Sequence, residues 1–225
     1  MTYNLKYFGI PALGEPVRLL LHIGKYRWED QIVTRDTWPS LKRASKWGFL
    51  PVLTTPEGRE MTQSKAICRY LAKTVCISGF VLYPECPLLA FAVDEFIDVF
   101  EDIRMKVQPT MQIPDQQEKE EARAGMFGVS GECTELLMKI EAECGEEHMI
   151  GDRVTLCDLW AFYFLNLLRC SVFEGVPRDY LLAYPKLAQN VTTFGSLPAV
   201  REYYSERAEQ NPMYALFVTA APASD

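Results

Sequence analysis

Leu5-Lys6-Tyr7-Phe8-Gly9-Ile10-Pro11-Ala12-Leu13-Gly14-Glu15-Pro16-Val17-Arg18 reads as a strand, a tight turn and the first turn of a helix. The apolar strand over residues 5–8 stops at Gly9, and Pro11 to Gly14 carry turn residues. From Glu15 the apolar positions Val17, Leu20 and Leu21, with Gly24, recur at helical spacing. Working outward, residues 26–33 resume a strand and residues 38–46 form a short helix after Pro39. Residues 51–54 and 59–61 flank Pro56-Glu57-Gly58, a hairpin signal, and residues 63–75 read as a helix with Ile67, Tyr70 and Leu71 on one face. The order β-α-β-α-β-β-α predicts a small mixed sheet covered by helices.

The second half has a different period. Helices are expected over residues 88–108, 115–144 and 156–170, with shorter ones after Pro177, Pro185 and Pro198. Thr155-Leu156-Cys157-Asp158 places a hydroxyl three residues before a carboxylate, a relative of the capping box, and Val154 and Leu159 are spaced as its hydrophobic staple. The Gly- and Pro-bearing stretch 78–87 reads as a linker. The expected organisation is therefore an α/β domain over residues 1–77, a linker over 78–87 and an all-α domain over 88–225.

With 225 residues, the chain is long enough to hold a core without disulfide or metal staples. The 23 basic residues against 30 acidic ones give a net charge of −7, and no dense basic stripe interrupts it, which argues against a nucleic-acid partner. The longest apolar run, 159–168, is about half the ~20 residues of a membrane span. The start of the chain lacks the pattern of a signal peptide, so a soluble, cytoplasmic protein is expected. Seven cysteines form no CxxC pair, and the only histidines are His22 and His148. A disulfide framework, a zinc site or a Ser-His-Asp triad has little to build on, and no metal is expected.

Five strings taken in order carry a resemblance across nearly the whole chain. They are Tyr7-Phe8, Leu50-Pro51, Gln63-Ser64, the helix from Val93 to Arg104, and Ile150-Gly151-Asp152-Arg153-Val154-Thr155-Leu156-Cys157-Asp158. Together they resemble the tyrosine-type cytosolic glutathione transferases. The first half is similar to the sigma class and the helix from Asp94 to Lys106 to the pi class. The resemblance implies a thioredoxin-like α/β domain followed by an all-α domain, with glutathione as cosubstrate. The implied activity is conjugation of its thiol to hydrophobic electrophiles, a detoxification chemistry.

By the same resemblance Tyr7 is the catalytic hydroxyl, although a strand tyrosine packing beside Leu5 would look the same in isolation. No cysteine lies between Gly9 and Gly14, which makes the disulfide-exchanging branches a poorer match. Leu50, before Pro51, is implied to pair through its backbone with the cysteinyl part of the tripeptide. Gln63 and Ser64 are implied to hold the γ-glutamyl carboxylate at a helix N-terminus, where free N–H groups and the helix dipole favour an anion. Trp38 and Lys42 match positions at the glycyl end. Asp98, on one face with Asp94 and Asp102, matches a residue that reaches the neighbouring subunit's site, which implies a homodimer. Trp47 sits where some classes insert an aromatic key into the partner.

Two positions depart from the pattern. Leu13 stands where many members carry an arginine, and Phe49 where a Lys or Gln often contacts the tripeptide. Ile10, Leu13, Ile103, Arg104, Val107 and Phe217 are the candidates for an apolar electrophile cleft between the domains. A glutathione-dependent isomerase of prostaglandin type, a ligand carrier and a scaffold of the same fold share these features, and the sequence leaves them open.

Overall fold

A computed structural model describes residues 2–170 and 172–218. The chain divides into two compact units, one built from the first 83 residues together with Pro198–Tyr214, the other centred on Pro84–Leu197.

The first unit begins with β1 (Tyr3–Phe8), α1 (Glu15–Ile23) and β2 (Trp28–Val33), followed by α2 (Trp38–Ala44). A hairpin of β3 (Val52–Thr54) and β4 (Glu60–Thr62) leads to α3 (Ser64–Ala72). The sheet order is β2-β1-β3-β4. β1 and β2 are parallel, with Tyr7 opposite Ile32; β1 and β3 are antiparallel, with Leu5 opposite Leu53; β3 and β4 are antiparallel, with Val52 opposite Thr62. This is the predicted βαβ unit plus hairpin. Its core is Leu5 and Leu53 from the sheet, Val17, Leu20 and Leu21 from α1, and Ile67 and Leu71 from α3, all essentially without exposed surface. Ile67 and Leu71 of α3 face inward as the spacing predicted, but Tyr70, expected on the same face, is 43% exposed, and α1 is buried nearly all round rather than along one stripe.

Two further features of this unit depart from expectation. The start of the stretch 78–87, read as a linker, is the turn and second strand of a small hairpin, β5 (Cys76–Ile77) with β6 (Phe80–Val81), turning at Ser78 and Gly79, both with positive φ. The late helix α9 (Pro198–Gln210), expected in the helical half, packs against α1. Val200, Tyr203 and Tyr204 of α9 are buried there.

The helical unit contains α4 (Pro87–Val107), α5 (Gln116–Met126), α6 (Glu132–Glu143), α7 (Leu156–Arg169) and α8 (Pro185–Gly195). The helix expected over residues 115–144 is two helices. A Cβ at Gly131 would come within 2.1 Å of the Met126 carbonyl oxygen, so the chain turns there on a residue that must lack one. Every residue of α7 except Arg169 is buried, which makes it the axis of this unit. Its start is the predicted capping box: Asp158 accepts from the Thr155 backbone N–H at 2.7 Å and its hydroxyl at 2.8 Å. The same carboxylate also accepts from Met149 N–H and Asn190 Nδ2, each at 2.7 Å, so one buried acid ties three segments together. Residues from 219 onward, part of the expected helical domain, lie outside the described residues.

Candidate active site

Strand register gathers the candidate residues at one end of the sheet. Lys6 pairs with Val52 and Val52 with Thr62, so one step further along lie Tyr7, Pro51 and Gln63 side by side at the same edge. β2 ends at this edge too, opposite Phe8, and α2 starts a few residues later with Trp38. The antiparallel turns of the hairpin thus bring together residues up to 56 positions apart. Trp38 closes edge-on against Phe8, ring centroids 6.2 Å apart, and lines a small cavity with Lys6, Leu41, Ser45, Leu50 and Val52.

Tyr7 is buried, with 6% of its surface exposed. Its ring lies on the backbone of Gly14: a Cβ there would meet the ring at 2.5 Å, so glycine is what lets the turn before α1 close over the tyrosine. The guanidinium of Arg18 stands 5.5 Å from the ring centre. The Leu50–Pro51 peptide is cis. Gln63 takes φ 74°, ψ 103°, a left-handed backbone that a side-chain-bearing residue adopts at a cost of about 1–3 kcal/mol. Such outliers concentrate where binding requires a fixed backbone, and this one immediately precedes the N-terminus of α3, opened by half-buried Ser64. Lys42 is exposed on α2, a helix with no buried residue.

The remaining candidates divide by unit. Ile10 is 42% exposed and Leu13 half-buried in the turn after Tyr7. On the helical unit, Asp98 is exposed on α4, and half-buried Arg104 forks onto Glu101 at 2.9 and 2.6 Å and reaches Gln108 at 2.7 Å. Phe217 is buried. Ile103 and Val107 require correction. Both have no exposed surface, because their spacing puts them on the inward face of α4 with Val93, Ile97 and Phe100, and a side chain so enclosed lines no open cleft. The buried thiols, five of the seven, are poor nucleophiles: burial pushes Cys133, Cys144 and Cys170 up to about 11.

Sequence reasoning passed over Arg18 and Glu15. Both are completely buried in α1, and Arg18 Nη1 contacts Glu15 Oε2 at 3.3 Å. Opposite charges three residues apart within an otherwise apolar helix were the available signal.

A thioredoxin-like sheet with its candidate site at one end, followed in the chain by a helical unit, is the two-part architecture of the cytosolic glutathione transferases. Residues 14–74 match the model of the glutathione S-transferase N-terminal domain, and residues 101–207 that of the C-terminal domain. A glutathione S-transferase of Anopheles gambiae is 35% identical, over 91% of this chain and 96% of that protein. The solved structure of a Fasciola hepatica sigma class enzyme is 29% identical with a TM-score of 0.75, covering 92% of this chain and 97% of that one. A structure of rat hPGDS complexed with a quinoline is 25% identical, TM-score 0.76, over 92% and 98%. The chain belongs to the glutathione S-transferase family.

Proposed function

We propose that the chain activates the thiol of glutathione for attack on hydrophobic electrophiles, with Tyr7 as the hydroxyl that stabilises the thiolate. The observation that carries this reading is the common edge shared by Tyr7, Leu50-Pro51 and Gln63-Ser64. A free thiol titrates near ~8.5, so little is ionised at neutral pH. Lowering that by about 2 units takes about 2.7 kcal/mol, and one hydrogen bond to a charged group contributes about 1.5–3 kcal/mol. A single phenol, held in place and donating to the sulfur, is therefore enough. The N-terminus of α3 takes the γ-glutamyl carboxylate through Ser64 and Gln63, the Leu50 backbone pairs with the cysteinyl unit, and Trp38 and Lys42 take the glycyl end.

In this reading Ile10 and Leu13 supply an apolar wall beside Tyr7. The working form is a cytoplasmic homodimer in which Asp98 serves the partner subunit's site. Trp47 and Phe49, 60% and 58% exposed on the loop before β3, support an aromatic contact to a second copy. The use of glutathione as cofactor for a prostaglandin-type isomerisation is the second reading. Its support is the match to a hematopoietic prostaglandin D synthase of Rattus norvegicus, 25% identical over 92% of this chain and 98% of that protein.

Thiolate absorbance of bound glutathione, titrated against pH for the wild type and Tyr7→Phe, tests the assignment. The expected outcome is a bound thiol ionising about 2 pH units below the free one, returning towards the free value in the mutant. Equal ionisation in both proteins would refute the role of Tyr7.

A further inference from the structure

Three successive carbonyls follow Tyr7, those of Phe8, Gly9 and Ile10, and each is held by a side chain. Arg18 donates from Nη2 to Phe8 O at 2.8 Å and from Nη1 to Ile10 O at 3.0 Å. Asn211 donates from Nδ2 to Gly9 O at 3.2 Å. Arg18 is in turn fixed on every side. Asp30 of β2 accepts from Nε at 2.9 Å and Nη2 at 3.3 Å, Glu15 from Nη1, and the Tyr214 hydroxyl accepts from Nη1 at 3.4 Å. Arg207 of α9 closes on the same Asp30 carboxylate at 3.0 Å and lies over the rings of Trp28 and Tyr203. Burial pulls against the Arg18 charge, and Glu15, Tyr214 and Asp30 more than offset it, so the cation is permanent.

From this geometry we infer that Asn211 and Tyr214 are positioning residues for Tyr7. Some 200 positions downstream of the turn, they clamp its backbone, directly and through Arg18, and so hold the phenol where it can donate to the sulfur. The inference rests on the reading of Tyr7 as the thiol's hydrogen-bond donor. Strand β1 ends at Phe8, so beyond it no ladder bond fixes the turn. The turn leaves Gly9 and Ile10 outside any regular element, and Gly14 puts no side chain between the backbone and the Tyr7 ring. A shift of the carbonyls therefore passes directly to the ring. A hydrogen bond to a thiolate weakens steeply with misalignment, so a displacement of this kind is read out as altered thiol ionisation. None of these contacts requires Tyr214 or Asn211 to touch glutathione.

Substitution of Arg18 itself does not separate the clamp from the fold, since it leaves the buried Glu15 carboxylate unpaired. Asn211→Ser is the sharper variant. Asn211 Oδ1 also accepts from Met213 N–H at 3.0 Å, a local turn that a serine hydroxyl can reproduce, whereas serine is too short to reach Gly9. Tyr214→Phe removes only the acceptor for Arg18. Both are measured in the full chain beside Tyr7→Phe, with bound-thiolate absorbance against pH and with 1-chloro-2,4-dinitrobenzene kinetics. The expected result is a bound thiol ionising about 0.5–1 pH unit higher than in the wild type. With it, kcat at pH 6.5 falls about three- to tenfold, KM for glutathione changes less than about twofold, and the deficit closes as the pH is raised. A lowered melting temperature with unchanged thiol ionisation and an unchanged pH profile would overturn the clamp and leave a merely structural role. If Tyr7→Phe also leaves the ionisation unchanged, the reading of Tyr7 falls and this inference with it; a shift in Tyr7→Phe alone overturns only the clamp.

Discussion

The two flanks of the candidate site are built to opposite standards. On the flank of Tyr7, every residue of α1 except His22 is buried, a guanidinium without exposed surface binds the backbone, and a glycine is required for the fit. On the flank of Trp38 and Lys42, α2 buries no residue at all. Local opening free energy follows buried contacts, so the first flank opens only with the unit as a whole and the second opens on its own. The chemistry of the thiol needs a phenol placed to within a fraction of an ångström. Recognition of a charged terminus by a long lysine does not. Under the proposed function, the difference teaches that this small sheet spends its buried surface where alignment matters and leaves the recognition side adjustable.

The largest effect that would break the comparison belongs to Arg18→Met. It removes the cation while keeping the bulk, strands buried Glu15, leaves Asp30 with Arg207 alone, and should cost about 3–5 kcal/mol in urea unfolding. A loss under 1 kcal/mol would mean that the tight flank is not held by its charges. Next comes Gly14→Ala, whose methyl would meet the Tyr7 ring at 2.5 Å. It should cost about 1–3 kcal/mol in stability and lower kcat at least about tenfold while leaving glutathione affinity within about threefold. The smallest effect is that of Lys42→Ala on the adjustable flank. It should raise the glutathione dissociation constant about three- to fivefold in calorimetry, with the melting temperature unchanged. A Lys42 variant that destabilised the protein would erase the distinction between the flanks.

Much of this was legible before any coordinates. The turn from Pro11 to Gly14, the hairpin at Pro56-Glu57-Gly58 and the Thr155–Asp158 box are local signals, decided within a few residues by φ and by short hydrogen bonds, and each appears where the spacing put it. The break between α5 and α6 was missed because Gly128 and Gly131 look tolerable within a helical period; what forbids a side chain at Gly131 is the Met126 carbonyl. Ile103 and Val107 were misplaced because position along α4 says nothing of which face is turned inward until the packing partners are known. Arg18 went unnoticed since a charge usually marks an exposed face, and Asn211 and Tyr214 could not be found at all, since nothing local ties them to a turn at the other end of the chain.

The packing of α9 on α1 also has a consequence in time. A ribosome releases the sheet, Tyr7 and Arg18 long before it reaches Pro198, with Pro84–Leu197 of the helical unit translated in between. At about 5–20 residues per second the nascent N-terminal unit waits on the order of ten seconds for Tyr214, the late partner of its buried arginine. Through that interval its α1 surface, later covered by Val200, Tyr203 and Tyr204, stands open to water and to chaperones. Completion of this unit is thus one of the last events in the making of the protein, although its sequence comes first.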